Sequence, residues 1–173
     1  LLSKYYDYCS YDSITYTLEA GARFIELDIF RKGLNEDENI PVVTNGIELG
    51  EWKLCINTLC LKKCLQIIKD IGLNNKMYES NNNPLILYLN ININSTLNFK
   101  KSPTEDKHGD FRFFNKIADM INEVFSGSEH LLDSSYCLQN QFYNQKKLSY
   151  VTNPIHLENI RKLKNKLIIM SNV

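Results

Sequence analysis

Glu26 and Asp28 stand two residues apart in the run Phe24-Ile25-Glu26-Leu27-Asp28-Ile29-Phe30, which alternates as a strand does. Ile25, Leu27 and Ile29 share one face, and Phe24, Glu26, Asp28 and Phe30 share the other. Two carboxylates on a strand that otherwise reads as buried carry a desolvation cost unless a cation or hydrogen bonds compensate. Arg23, Arg31 or Lys32 would supply a structural salt bridge, the reading that spacing alone favours. The other is a divalent metal at the strand's carboxyl end, where α/β folds put their sites. Cys60 and Cys64, one helical turn apart, form a second candidate pair. No His or Cys pair elsewhere has zinc-site spacing, so they read as buried thiols, and a redox or zinc module is the least supported function class. His108, His130 and His156 fall in a charged loop, after a helix and in an Asn-Pro-Ile-His segment, none of them at the carboxyl end of a strand. Arg161, Lys162, Lys164 and Lys166 make a small basic cluster of the kind that usually forms a solvated rim.

The elements that must position these groups follow from periodicity. Asp12 and Ser13 are placed to cap a helix running to Ala20, with Gly21 to end it. The polar run Arg31 to Asn39 reads as a loop, followed by a strand, Ile40 to Thr44, that ends at the turn dipeptide Asn45-Gly46. Leu61, Cys64, Leu65, Ile68 and Ile71 recur at helical spacing, with Gly72 and Asn74-Asn75 closing the segment. After an Asn81 to Asn83 connector, Leu85 to about Ile93 alternates strictly, its odd positions aliphatic and its even positions Ile86, Tyr88, Asn90, Asn92 and Asn94. Lys100 to Gly109 reads as a charged loop, and Asp110 to Phe125 as an amphipathic helix with the stripe Phe114, Ile117, Ala118, Ile121 and Phe125. Leu138 to Asn153 reads as a surface excursion, then a short segment from Leu157 to Leu163 leads to a last strand, Leu167 to Met170. Such alternation argues an α/β class with parallel strands joined by right-handed crossovers, either a doubly wound sheet or a piece of a barrel.

The 173 residues, 20 basic and 20 acidic side chains and 43% hydrophobic content describe one globular domain. The absence of a basic surplus argues against a nucleic-acid partner, and no apolar run approaches the roughly 18 residues of a transmembrane segment. The first residues, Leu-Leu-Ser-Lys-Tyr-Tyr, lack both a signal peptide's pattern and an initiator Met, as expected of a stretch taken from a longer polypeptide. Five cysteines, an odd number in a chain able to form a core without staples, read as reduced thiols of an intracellular compartment.

Several blocks carry a resemblance. Glu19-Ala20-Gly21-Ala22-Arg23-Phe24-Ile25-Glu26-Leu27-Asp28-Ile29-Phe30 resembles the Gly-Cys-Arg-x-x-Glu-Leu-Asp-x-Trp signature of the phosphatidylinositol-specific phospholipase C X domain. In the same order, Pro41-Val42-Val43-Thr44-Asn45-Gly46-Ile47-Glu48-Leu49 resembles its Pro-Val-Val-Tyr-His-Gly-x-Thr-Leu, and Pro84-Leu85-Ile86-Leu87-Tyr88-Leu89-Asn90 its Pro-Val-Ile-Leu-Ser-Leu-Glu. Leu163 to Ile169 is similar to Leu-Lys-Gly-Lys-Ile-Leu-Ile. The resemblance implies a partial, distorted TIM barrel, about half of one, with four parallel strands in sequential order and Glu26, Asp28 and Asn90 on the concave face. Another protein segment would then complete the barrel.

Carried over residue by residue, the resemblance implies loss. The family's second catalytic His corresponds to Asn45, and its calcium-binding Glu, which helps deprotonate the inositol hydroxyl, corresponds to Asn90. Neither amide shuttles protons near neutral pH. The lysines that meet inositol phosphates correspond to Met170 and Asn172. Glu26, Asp28 and the Asn90 carbonyl remain as potential calcium ligands, although an acid pair reused for structure, with no cofactor, is the preferred reading. The expected function is a degenerate module with a structural or interaction role. The alternative is a divergent metal-dependent phosphoric diester hydrolase acting on a phospholipid head group.

Overall fold

Two strictly alternating segments organise the molecule. The computed structural model describes residues 8–32, 40–49, 52–55, 57–74, 82–92, 106–132, 136 and 159–172. Its elements in chain order are α1 (Tyr11–Glu19), β1 (Phe24–Lys32), β2 (Ile40–Val43), β3 (Gly46–Leu49), β4 (Trp52–Cys55), β5 (Leu59–Cys60), α2 (Leu61–Ile67), a π-helical segment (Ile68–Asn74), β6 (Leu85–Asn92), α3 (Asp106–Phe125) and β7 (Leu167–Ser171). A five-stranded sheet has the order β5-β2-β1-β6-β7, and β3 and β4 pair apart from it as an antiparallel ribbon. β1 with β6 and β6 with β7 are parallel, whereas β2 is antiparallel to both β1 and β5.

The α/β class and an open sheet consistent with a partial barrel agree with expectation, but the expected set of four parallel strands in sequential order does not form. β2 returns antiparallel along the outer side of β1, because the connection from Gly33 to Asn39 is shorter than the dozen or so residues a parallel crossover needs.

One core forms where Ile25, Leu27 and Ile29 of β1 and Leu85, Leu87, Leu89 and Ile91 of β6 meet the helices. Leu18 of α1, Leu61, Cys64 and Leu65 of α2, and Phe113, Ile117 and Phe125 of α3 join that cluster. The α3 stripe is displaced from the expected one: Phe113 and Val124 are buried, Phe114 and Ile121 half-buried, and Ala118 exposed. The helix also begins four residues before Asp110, so the backbone at His108 is helical and not part of a loop. Ser10 is the N-cap of α1 in place of Asp12 or Ser13, its hydroxyl accepting the Ser13 N–H at 3.1 Å. Gly21, at φ 95°, ends the helix as anticipated.

The segment ends at Asn74, as the Asn74-Asn75 pair implies, while Gly72 lies inside the π-helical stretch that extends the second helix. A Cβ at this position would stand 3.0 Å from Leu85 Cδ2 and 3.3 Å from Leu18 Cδ2, so the glycine lets α1 and β6 close on the segment. Its carbonyl accepts a bond from Arg23 Nη1 at 2.7 Å. The excursion expected from Leu138 to Asn153, and Leu157 and His156, lie outside the described residues.

Leu87 is fully buried at the centre of β6. Leu87→Ala should lower the unfolding free energy by about 2–5 kcal/mol, read as a reduced denaturant midpoint with an unchanged slope.

Candidate functional site

With the aliphatic positions of β1 and β6 turned toward the helices, the other parity is fixed on the opposite face. The register pairs Phe24 with Ile86, Glu26 with Tyr88 and Asp28 with Asn90, and continues Ile86 to Ile168 and Tyr88 to Met170. Four rows therefore cross this face, apolar at the amino ends, mixed at Glu26 and Tyr88, polar at Asp28 and Asn90, and ending on the buried Phe30 beside Asn92. This face is open in places, with Phe24 54% and Met170 49% exposed. The sequence-assigned residues Glu26, Asp28 and Asn90 do share it, with Glu26 exposed and the other two half-buried.

The polar row is a chain of amides ending on a carboxylate. Asn90 Nδ2 donates to Asp28 Oδ1 at 2.7 Å, and Asn172 Nδ2 donates to Asn90 Oδ1 at 3.1 Å. Asn172, just past β7, also accepts the Ile91 N–H on Oδ1 at 2.8 Å and donates from Nδ2 to the Ile91 carbonyl at 3.1 Å. Its side chain thus takes the place of a further backbone residue in the ladder. Asn92 Nδ2 donates to the Asn90 carbonyl at 3.0 Å.

Two of the cations expected to pair with the acids make other contacts. Arg23 reaches the Gly72 carbonyl, and the Arg31 guanidinium lies 4.8 Å from the centroid of the Phe113 ring. The acid at the strand end is instead met by an amide, that of Asn90. Burial holds the Arg23 guanidinium below its ordinary value.

Calcium, which the resemblance implies, takes six to eight oxygen ligands. Here the Asn90 side chain turns an N–H toward Asp28, and its Oδ1 is already an acceptor. The pair is arranged as a hydrogen bond and not as two oxygen ligands, so these residues do not fit the ion as they stand. No group of three or more His, Cys, Asp or Glu side chains among the described residues is suited to a metal either.

The antiparallel return of β2 brings a second set of groups to the same end of β1. Thr44 is buried, its N–H donating to the Asp28 carbonyl at 3.2 Å and its Oγ1 to the Asn57 carbonyl at 2.6 Å. Asn57 clasps the Cys9 backbone, accepting its N–H at 2.9 Å and donating to its carbonyl at 2.7 Å. The exposed Asn45 donates its N–H to Cys9 Sγ at 3.1 Å. Asn45 thus follows directly on the residue bonded to Asp28, whereas Cys9 and Asn57 carry no motif that sequence reasoning would catch.

His130 is at the other end. Its Nδ1 lies 3.0 Å from the Asn165 carbonyl oxygen and its Nε2 2.9 Å from Asn74 Oδ1, while its own carbonyl accepts the Leu167 N–H at the amino end of β7. In the basic cluster, Lys166 Nζ donates to the Glu129 carbonyl, and Arg161, Lys162 and Lys164 are exposed. The cysteine pair is split: Cys60 is exposed and Cys64 fully buried, correcting the expectation of two buried thiols. Both are free, as is Cys9. No helix among the described residues is long and apolar enough to cross a membrane.

Comparison with known proteins bears on this arrangement. The family model for the phosphatidylinositol-specific phospholipase C X domain matches residues 2–172. A comparison with curated proteins found no match. Among solved structures, PLC21 of L. pealei aligns over 92% of this chain and 15% of its own, with a TM-score of 0.51 and 17% identity. PLC21 of S. officinalis aligns over 95% of this chain and 16% of its own, with a TM-score of 0.54 and 16% identity. At such identities the likeness is one of fold, and the chain spans about one sixth of the length of these neighbours.

Desolvation, reinforced by the nearby thiols Cys60 and Cys9, pushes Cys64 up to about 12. Because this folded value exceeds the unfolded one, the folded state holds the proton more tightly, and the resulting stability is lost as pH rises from about 9 toward 12. In the native protein at pH 8, an alkylating reagent should modify Cys60 and spare Cys64 until denaturant is added. Peptide mass spectrometry checks this order.

Proposed function

This chain belongs to the phosphatidylinositol-specific phospholipase C X-domain family, and from that premise we propose that it keeps the fold without the phosphodiester chemistry and acts as a structural or interaction module. The observation that carries this reading is the polar row itself. Phosphodiester cleavage by an internal hydroxyl needs one group to take a proton and another to give one, assistance worth about 10²- to 10⁴-fold. At the strand ends stand Asn45, Asn90 and Asn172, none of which titrates near neutral pH, and Asp28, whose Oδ1 is engaged by Asn90. His130 is bonded at the opposite end of the sheet. Met170 and Asn172, where the family has lysines, also leave little charge for an inositol phosphate.

The interaction role is supported by what the sheet leaves open. β7 ends the sheet order, with a bridge from Leu131 to Leu167, and the face that carries Asp28 also carries exposed Phe24 and Met170. A parallel strand at the end of a sheet, beside an apolar row, favours a segment that adds strands and closes the barrel. The short span of this chain relative to its structural neighbours is consistent with such a completing segment. Fold alone does not fix activity, so the hydrolase alternative is tested directly.

Purified protein incubated with phosphatidylinositol vesicles, with and without millimolar calcium, should release no inositol phosphate above the protein-free rate. Release that disappears in Asp28→Ala would overturn the proposal and establish a hydrolase built on the surviving carboxylate.

A further inference from the structure

We infer that Asn172 is a positioning residue that makes the strand-end row reject hard divalent cations, by holding the Asn90 amide with its N–H toward Asp28. This deepens the proposed function and rests on it in one respect, that the row is the family's former ion site put to another use.

The orientation of each amide follows from what it faces. An ionised carboxylate only accepts, so Asn90 must present Nδ2 to Asp28 Oδ1. A backbone N–H only donates, so Asn172 must present Oδ1 to Ile91 N, which leaves its Nδ2 for the Ile91 carbonyl and for Asn90 Oδ1. Because the Ile91 backbone cannot reverse its polarity, Asn172 cannot turn over without facing like groups with like. Asn90 in turn cannot offer Oδ1 to an ion beside Asp28 without aiming its N–H2 at the N–H2 of Asn172. One backbone residue of β6 thereby sets the polarity of the whole row, through two side chains.

A cation near Asp28 would meet the positive end of the Asn90 amide at the place where an oxygen ligand is required. Glu26, one row below, is exposed and adds charge without relieving that conflict. Asp28 is therefore met by a hydrogen bond from the amide relay, and binding a cation would cost the relay's bonds.

Asn172→Asp tests the idea with a nearly isosteric change. The new carboxylate still accepts the Ile91 N–H but has no donor for Asn90 Oδ1, so Asn90 is free to turn its N–H2 toward that carboxylate and, when calcium is present, to offer its oxygen together with Asp28 to the ion. Thermal unfolding is followed while calcium chloride is titrated against potassium chloride of matched ionic strength. The wild type should show no calcium-specific rise. The Asn172→Asp variant should gain about 5–10 °C once calcium exceeds its Kd about a hundredfold, and adding Asn90→Ala should abolish that gain. A rise in the wild type overturns the inference. So does a folded Asn172→Asp variant that gains nothing, and so does a gain that survives Asn90→Ala, since added charge alone would then explain it.

Should the variant fail to fold, the side-chain amide NMR signals of Asn90 and Asn172 in the wild type decide: unmoved by 10-fold excess calcium they support the lock, and shifted they overturn it. The two readings fail separately. Calcium binding by the wild type without inositol phosphate release sinks this inference alone, whereas release that needs no calcium sinks the proposed function alone.

Discussion

The parallel register of β1 on β6 is the constraint on which the rest depends. Sliding one strand by a single residue would turn Ile25, Leu27 and Ile29 away from the helices and drive Glu26 and Asp28 into the core. Burial of each large aliphatic side chain is worth about 1.5–3 kcal/mol, and an unpaired buried carboxylate costs several more. The same parity that seats the core sets Asp28 opposite Asn90, so the polar row is a by-product of hydrophobic packing on the far side of the sheet.

The two ends of the parallel strands are secured by different chemistry. At the amino ends the bonds are largely between backbone groups: Ile86 N–H to the Arg23 carbonyl, Leu85 N–H to that of Lys166, Leu167 N–H to that of His130 and Asn165 N–H to that of Asn82. Arg23 and His130 add side-chain bonds to the π-helical segment at Gly72 and Asn74. At the carboxyl ends the connections pass through Asn90, Asn172, Thr44 and Asn57. Bonds to a charged acceptor such as Asp28 are worth about 1.5–3 kcal/mol, whereas the exposed pair of Lys62 with Glu123 contributes about 0–1 kcal/mol. Substituting a strand-end amide therefore alters the site first, while substituting an amino-end contact alters the fold.

What was legible in the amino acids was what is local. Period-two alternation located β1 and β6 and the face shared by Glu26, Asp28 and Asn90, because strand parity is a property of neighbouring residues. The direction of β2 was legible too, in the short connection after Lys32, but strand-helix alternation elsewhere argues for crossovers and masked it. Gly72 reads locally as a helix stop. Its real place depends on Leu18, Leu85 and Arg23, all distant in sequence. Matching Asn172 to a lysine registers only a lost charge, and its bonds to Ile91 and Asn90 arise from where β7 ends beside β6.

The antiparallel β2 has a kinetic meaning. β1, β2 and β5 pair across short stretches of chain, so little loop-closure entropy opposes their meeting. Asp28 and Asn90 are separated by 62 residues, and Asn90 and Asn172 by 82. A hairpin-like unit is thus the part of the sheet that closes at the lowest entropic cost, whereas β6 and β7 must reach it across long stretches of chain. The amide row closes only when three segments remote in sequence are in register.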